Sequence, residues 1–106
     1  MPTEPAFGDI WHVNAVLGPE PRLVISSRRH LRDGSGNVLT LPVYRRDDTM
    51  AKVIHPRRLF TVPGTGVADL GVIETLNAAS LTKPHTKIDP GSHEELVFRV
   101  GQMIGP

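Results

Sequence analysis

A chain of 106 residues is one ordinary domain, and 39% hydrophobic with 22% charged residues suits a folded core and excludes a disordered tail. Cysteine is absent, which removes disulfide scaffolds, zinc ribbons, thiol nucleophiles and redox switches together. The net charge is only +1, but residues 20–60 carry nine of the twelve basic side chains and sum to +5 while each flank sums to −2, a distribution suited to an anionic partner such as a phosphate backbone.

Residues 1–10 contain Glu4 and Asp9 and no basic or apolar run, so no secretory signal is expected there. No uncharged stretch approaches the roughly 20 residues of a membrane span. The expected location is cytoplasmic, away from any membrane.

Ten prolines and ten glycines divide the chain into short pieces, which favours strands over long helices. Residues 8–15 (GDIWHVNA) alternate as a strand, with Trp11, Val13 and Ala15 on one face and Ile10, His12 and Asn14 on the other. Residues 17–21 form a turn, and residues 22–27 (RLVISS) read as a central strand. Residues 28–33 are a polar connection with room for one helical turn. Residues 37–44 (NVLTLPVY) predict a third strand, interrupted at Pro42 by an edge, a bulge or its end. Residues 45–49 read as a charged loop, residues 51–55 and 57–62 as short strands, and residues 63–66 as a turn. Residues 70–76 (LGVIETL) predict a strand holding Glu74, and residues 84–88 a further one. A C-terminal helix follows, capped by Asp89 or Ser92, with Ser92 and Glu95 spaced as a capping box. Its apolar stripe is Leu96, Val97, Val100, Met103 and Ile104. The fold class expected is a single domain over residues 1–106, mainly β, a small antiparallel sheet or barrel with a C-terminal helix packed on it.

The order of segments resembles the MazF/PemK toxin family. Gly8-Asp9-Ile10-Trp11-His12-Val13, a turn, and Pro21-Arg22-Leu23-Val24-Ile25-Ser26 are similar to that family's opening. Leu39-Thr40-Leu41-Pro42-Val43-Tyr44 matches its third strand, Val72-Ile73-Glu74-Thr75-Leu76 its acid-bearing strand, and residues 89–96 the start of its last helix. The resemblance spans nearly the whole chain. It implies a CcdB/PemK (SH3-like) barrel, a homodimer, a cognate antitoxin protein, and metal-independent cleavage of single-stranded RNA with no cofactor. Two departures stand out. Glu20 falls where the family usually has an arginine, and Tyr44 where it has Thr or Ser.

Cleavage through a 2′-OH needs a base, a cation over the phosphorane and an acid for the leaving oxygen. The catalytic candidates are Glu74, whose strand position predicts burial, Arg22 as phosphate clamp, and Tyr44 as the surviving hydroxyl. For Arg22 the plain structural alternative is an ion pair with Glu20 or Glu74. Arg28, Arg29, Arg45 and Arg46, in loops after neighbouring strands, are RNA-binding candidates that would line one groove, joined by His12 and His30. The five histidines match no zinc spacing, so no metal is expected. Two further readings share the fold: a catalytically silent module binding nucleic acid or protein, and a gyrase poison of the CcdB type.

Overall fold

The computed structural model describes residues 4–104. Residues 1–3, part of the segment weighed as a signal, and the last two residues of the C-terminal tail lie outside the described residues. Seven strands follow in order: β1 (Asp9–Ala15), β2 (Gly18–Val24), β3 (Asn37–Tyr44), β4 (Leu59–Val62), β5 (Gly66–Asp69), β6 (Glu74–Asn77) and β7 (Leu81–Lys87). Helices α1 (Arg28–Leu31) and α2 (Thr49–Lys52) are single turns within connections, and α3 (Pro90–Ile104) is the C-terminal helix.

Every strand pairing is antiparallel, in the spatial order β4-β5-β3-β2-β1-β7, with β6 beside the first half of β3. β3 therefore carries β2 along one edge and β6 then β5 along the other. Pro42, which has no N–H to donate, stands where that second ladder changes partner: β6 pairs through Thr40 and β5 from Val43.

Both faces of the central strands are covered. Ile10, Leu23, Leu41 and Val43 pack with Phe60, Val62 and Leu70 beneath Leu96 and Val100 of α3. On the opposite face Trp11, Val13, Val24, Val38 and Leu81 pack with Leu31 of α1. Burial on both sides accounts for the near-continuous apolar run of β3 and for Leu23, Val24 and Ile25 where β2 ends. Arg99 ties α3 to the strand beneath it, donating to the carbonyls of Leu59 and Arg57 at 2.7 Å each. The result is the mainly antiparallel sheet with a packed C-terminal helix that the sequence predicts.

Several local expectations need correction. Within residues 51–55 the chain is not a strand: Thr49–Lys52 is a helical turn, because the Asp48 side chain accepts the Met50 N–H at 2.8 Å. Ala51 and Ile54, three residues apart, bury together, a helical spacing. The predicted strand over 70–76 is a turn followed by β6, and Gly66–Asp69, partly assigned to a turn, forms β5. Asp69 makes that turn by accepting the Gly71 N–H at 2.8 Å. β2 begins at Gly18, through Pro19 and Pro21, and β7 begins at Leu81. Asp89 and not Ser92 caps α3, accepting the Ser92 N–H at 3.2 Å. The α3 stripe buries only Leu96 and Val100, and Val97, Met103 and Ile104 are exposed.

Candidate functional site

Residues directly opposite in an antiparallel ladder share a face of the sheet. Arg22 opposes Pro42 and Trp11, Val24 opposes Thr40, and Thr40 opposes Glu74. Tyr44 lies two residues beyond Pro42 and Glu20 two before Arg22, so both join the same face. Arg22, Glu74, Tyr44 and Glu20 thus gather from three strands.

Arg22 is the centre of this group. Its Nε donates to Glu74 Oε1 at 2.9 Å, one terminal nitrogen reaches Glu20 Oε1 at 3.3 Å, and the other donates to the Pro21 carbonyl at 3.1 Å. Its side chain is 15% exposed. A guanidinium has five N–H groups, so two remain beyond these three bonds. The ion pairs considered from sequence are both present. Glu74, however, is not buried: its side chain is 36% exposed at the rim, contrary to the expectation of an acid enclosed in an apolar strand. It sits on the short, partly solvated β6 and not within a core strand.

Tyr44 ends β3 packed against the buried cluster of Ala51, Ile54 and Val67. Burial pushes its phenol pKa up, and the nearby Asp69 and Glu74 carboxylates add to this while Arg22 opposes it. The hydroxyl is therefore protonated at neutral pH, a donor. Gly66 makes this placement possible, since a Cβ there would overlap the Tyr44 carbonyl.

The two histidines proposed for RNA lie elsewhere. His12 opposes Pro21, so it points to the face away from Arg22. It stacks on His85 with centroids 4.7 Å apart, and burial followed by the His85 and Lys83 charges lowers its pKa. His30 Nδ1 lies 2.8 Å from Ser26 Oγ, which also accepts the Leu39 N–H at 2.7 Å. With Asp33 Oδ2 3.8 Å from its Nε2, His30 completes a serine–histidine–aspartate line. Ser26 is 1% exposed, so this line holds α1 to the sheet and presents no nucleophile.

The arginines do not form one groove. β2 and β3 are antiparallel, so the connections after them leave from opposite ends of the sheet. Arg28 and Arg29 lie beyond the end of β2, and Arg45 and Arg46 beyond the end of β3. The length of β3 separates them by roughly 23 Å. Arg45 and Arg46 line a shallow cleft with Gly64, Thr65 and Gly66, where Arg45 pairs with Asp47 at 3.5 Å.

Glu20 was expected only as an ion-pair partner of Arg22 and not as a site residue, and it joins the site through that pair. Its signal was the Glu20-Pro21-Arg22 spacing, which puts both charged side chains on one face once β2 is known to start at Gly18.

No protein-family profile and no curated protein sequence matches the chain. Solved structures do. MazE-MazF (Form-II) from Deinococcus radiodurans has 20% identity and a TM-score of 0.74 over 98% of this chain and 98% of that one. An endoribonuclease in complex with its cognate antitoxin, from Mycobacterial species, has 16% identity and a TM-score of 0.73 over 99% of this chain and 98% of that one. MazF (Form-I) from Deinococcus radiodurans has 18% identity and a TM-score of 0.73 over 99% of this chain and all of that one, 100%. At these identities the likeness is one of fold. The chain has the MazF fold.

Proposed function

We propose that this protein is a MazF-like toxin of a toxin–antitoxin pair, an endoribonuclease that cuts single-stranded RNA without a metal. The observation that carries this reading is the Arg22–Glu74 pair beside a protonated Tyr44 on one face of the MazF fold. Glu74 takes the proton of a 2′-OH, and the 2′-oxygen attacks the adjacent phosphorus. The bond from phosphorus to the 5′-oxygen breaks, and the Tyr44 hydroxyl gives that oxygen its proton. The products are a 2′,3′-cyclic phosphate and a 5′-hydroxyl, and the proton on Glu74 returns to Tyr44 through solvent. The two remaining N–H groups of Arg22 meet the charge that develops on the phosphorane. Arg28, Arg29, Arg45 and Arg46 attract the strand to either end of the site. A two-fold partner and a cognate antitoxin cover exposed apolar side chains such as Phe98, Ile104, Val16 and Leu17.

One observation favours a second reading, a catalytically silent binding module. Glu20 and Glu74 surround a single arginine, and two carboxylates with one guanidinium leave a local excess of negative charge against a phosphate. The test is incubation of long single-stranded RNA with the protein in EDTA, with mapping of the cut ends. Discrete cuts ending in cyclic phosphate are expected. Glu74→Gln and Arg22→Lys should each slow cutting by about a hundredfold or more. The same preparation should sediment as a dimer at micromolar concentration, a monomer counting against the assembly. Absence of cutting would favour the silent module, and equal cutting by both variants would remove Arg22 and Glu74 from the mechanism.

A further inference from the structure

A second cavity lies at the other end of β3 from Tyr44. Residues 4–7, α1, the start of β3, Ala78 and the first turn of α3 enclose about 480 Å³. That is inside the usual range for small-ligand pockets, roughly 300–1,000 Å³. Its lining has two kinds of surface. Phe7 and Leu31 are apolar, whereas Arg28, Arg32, Asn37 and His93 bring hydrogen-bond donors.

The aromatic corner is sterically specified. The rings of Phe7 and His93 meet edge to face with centroids 5.1 Å apart at 69°. Gly8 permits this approach: a Cβ there would come within 3.0 Å of the His93 ring, and its φ of +90° disfavours a side chain in any case. Arg28 and Arg32 stand one helical turn apart, a spacing of about 5–6 Å between neighbouring Cβ atoms that suits two-point contact with one phosphate. Among the described residues neither arginine has a carboxylate within ion-pairing distance. Glu4, the one acid in the lining, limits the anionic charge the cavity accepts.

We propose that this cavity binds a nucleotide, with the planar base against Phe7, His93 and Leu31 and one phosphate held by Arg28 and Arg32. A base supplies the flat aromatic face that the apolar wall fits, and a phosphate supplies the counter-charge that the two arginines lack. The same chemistry is offered by a free 5′-mononucleotide and by a nucleotide within an RNA strand. The site does not require cleavage at Arg22, though it shares Arg28 with the RNA path proposed above.

The experiment is a ¹H–¹⁵N NMR titration of the intact chain with AMP, GMP, CMP, UMP and inorganic phosphate, and of the full-length Glu74→Gln chain with a short oligoribonucleotide so that cutting does not intervene. At least one mononucleotide should saturate at submillimolar concentration and shift the amides of Phe7, Arg32, Asn37, Ala78 and His93. Inorganic phosphate should bind about tenfold more weakly or worse. Arg28→Gln with Arg32→Gln should weaken the nucleotide by about tenfold or more, the scale of lost charge-assisted hydrogen bonds. Phe7→Leu should weaken the nucleotide but leave phosphate unchanged, and Glu74→Gln should leave both unchanged. An oligoribonucleotide that shifts these same amides at lower concentration than the mononucleotide supports the site with RNA as its source, and equal affinity at these amides supports it with a free nucleotide. No saturable shift at millimolar nucleotide would overturn the proposal. So would phosphate binding as tightly as nucleotide, or no effect of the arginine changes in a variant whose spectrum remains native-like.

Discussion

Single residues in this chain take their roles from the hydrogen bonds that bury or free them. Arg22 is held on three sides, by Glu74, Glu20 and the Pro21 carbonyl, so a phosphate gains only the two N–H groups left over. Ser26 shows the opposite case, a hydroxyl sealed from solvent and engaged on both sides. It accepts the Leu39 N–H and meets His30 Nδ1, joining β3 to α1. Ser26→Ala would leave the Leu39 N–H without its acceptor and free the imidazole. A loss of about 2 kcal/mol is expected, read as a lower urea midpoint with an unchanged slope. An unchanged midpoint would show that water replaces the hydroxyl there. Glu20 was readable as an Arg22 partner because parity puts the two on one side of a strand, whereas Glu74 was one alternative that only the pairing of β2 and β6 with β3 brings within reach. The Ser26 partner of His30 was not legible, since its surrounding arginines pointed to RNA and nothing local announced the buried serine four residues earlier.

At the scale of elements, the strands with alternating or continuous apolar pattern were legible: β1, β3 and the core half of β2 lie where the period-2 pattern puts them. The misses are short elements decided by one capping or turn residue. Ala51 to Ile54 satisfies either periodicity over so few residues, and the Asp48 cap settles it as a helical turn. α3 has the same kind of cap, with consequences at low pH. Hydrogen bonds from Ser92, side chain first and backbone next, hold the Asp89 carboxyl below its usual value near 3.8. A carboxylate with a depressed pKa in the folded state stabilises fully above its unfolded pKa, and that contribution is lost as pH falls through the lower folded value. Asp89→Asn keeps an acceptor at the cap but does not titrate. The stability gap between wild type and variant should therefore narrow as pH falls below about 4, in thermal melts taken down to about pH 2. A gap independent of pH would mean that the Asp89 charge contributes nothing to the cap.

For the whole molecule, the antiparallel sheet decides what the charge pattern only suggested. The excess of arginine in the middle of the chain was visible from composition, but composition carries no strand direction. Because β2 and β3 run in opposite senses, Arg28 and Arg29 stand at one end of β3 and Arg45 and Arg46 at the other. A single strand of RNA crossing the Arg22 face between them would meet both clusters. Each phosphate contact on single-stranded nucleic acid contributes about 0.7 to the slope of log affinity against log salt. Replacing Arg28 and Arg29 by Gln should then lower the slope by about 1.4, and replacing Arg45 and Arg46 by about the same. Sites more than about 10 Å apart act independently, so the four changes together should lower it by about 2.8. Fluorescence-anisotropy titrations of the RNA at several salt concentrations measure this directly, with Glu74→Gln as background so that cutting does not intervene. If only one pair alters the slope, the strand leaves the sheet before reaching the other end. If neither does, both clusters are a solvated rim and the RNA path does not cross this face between them.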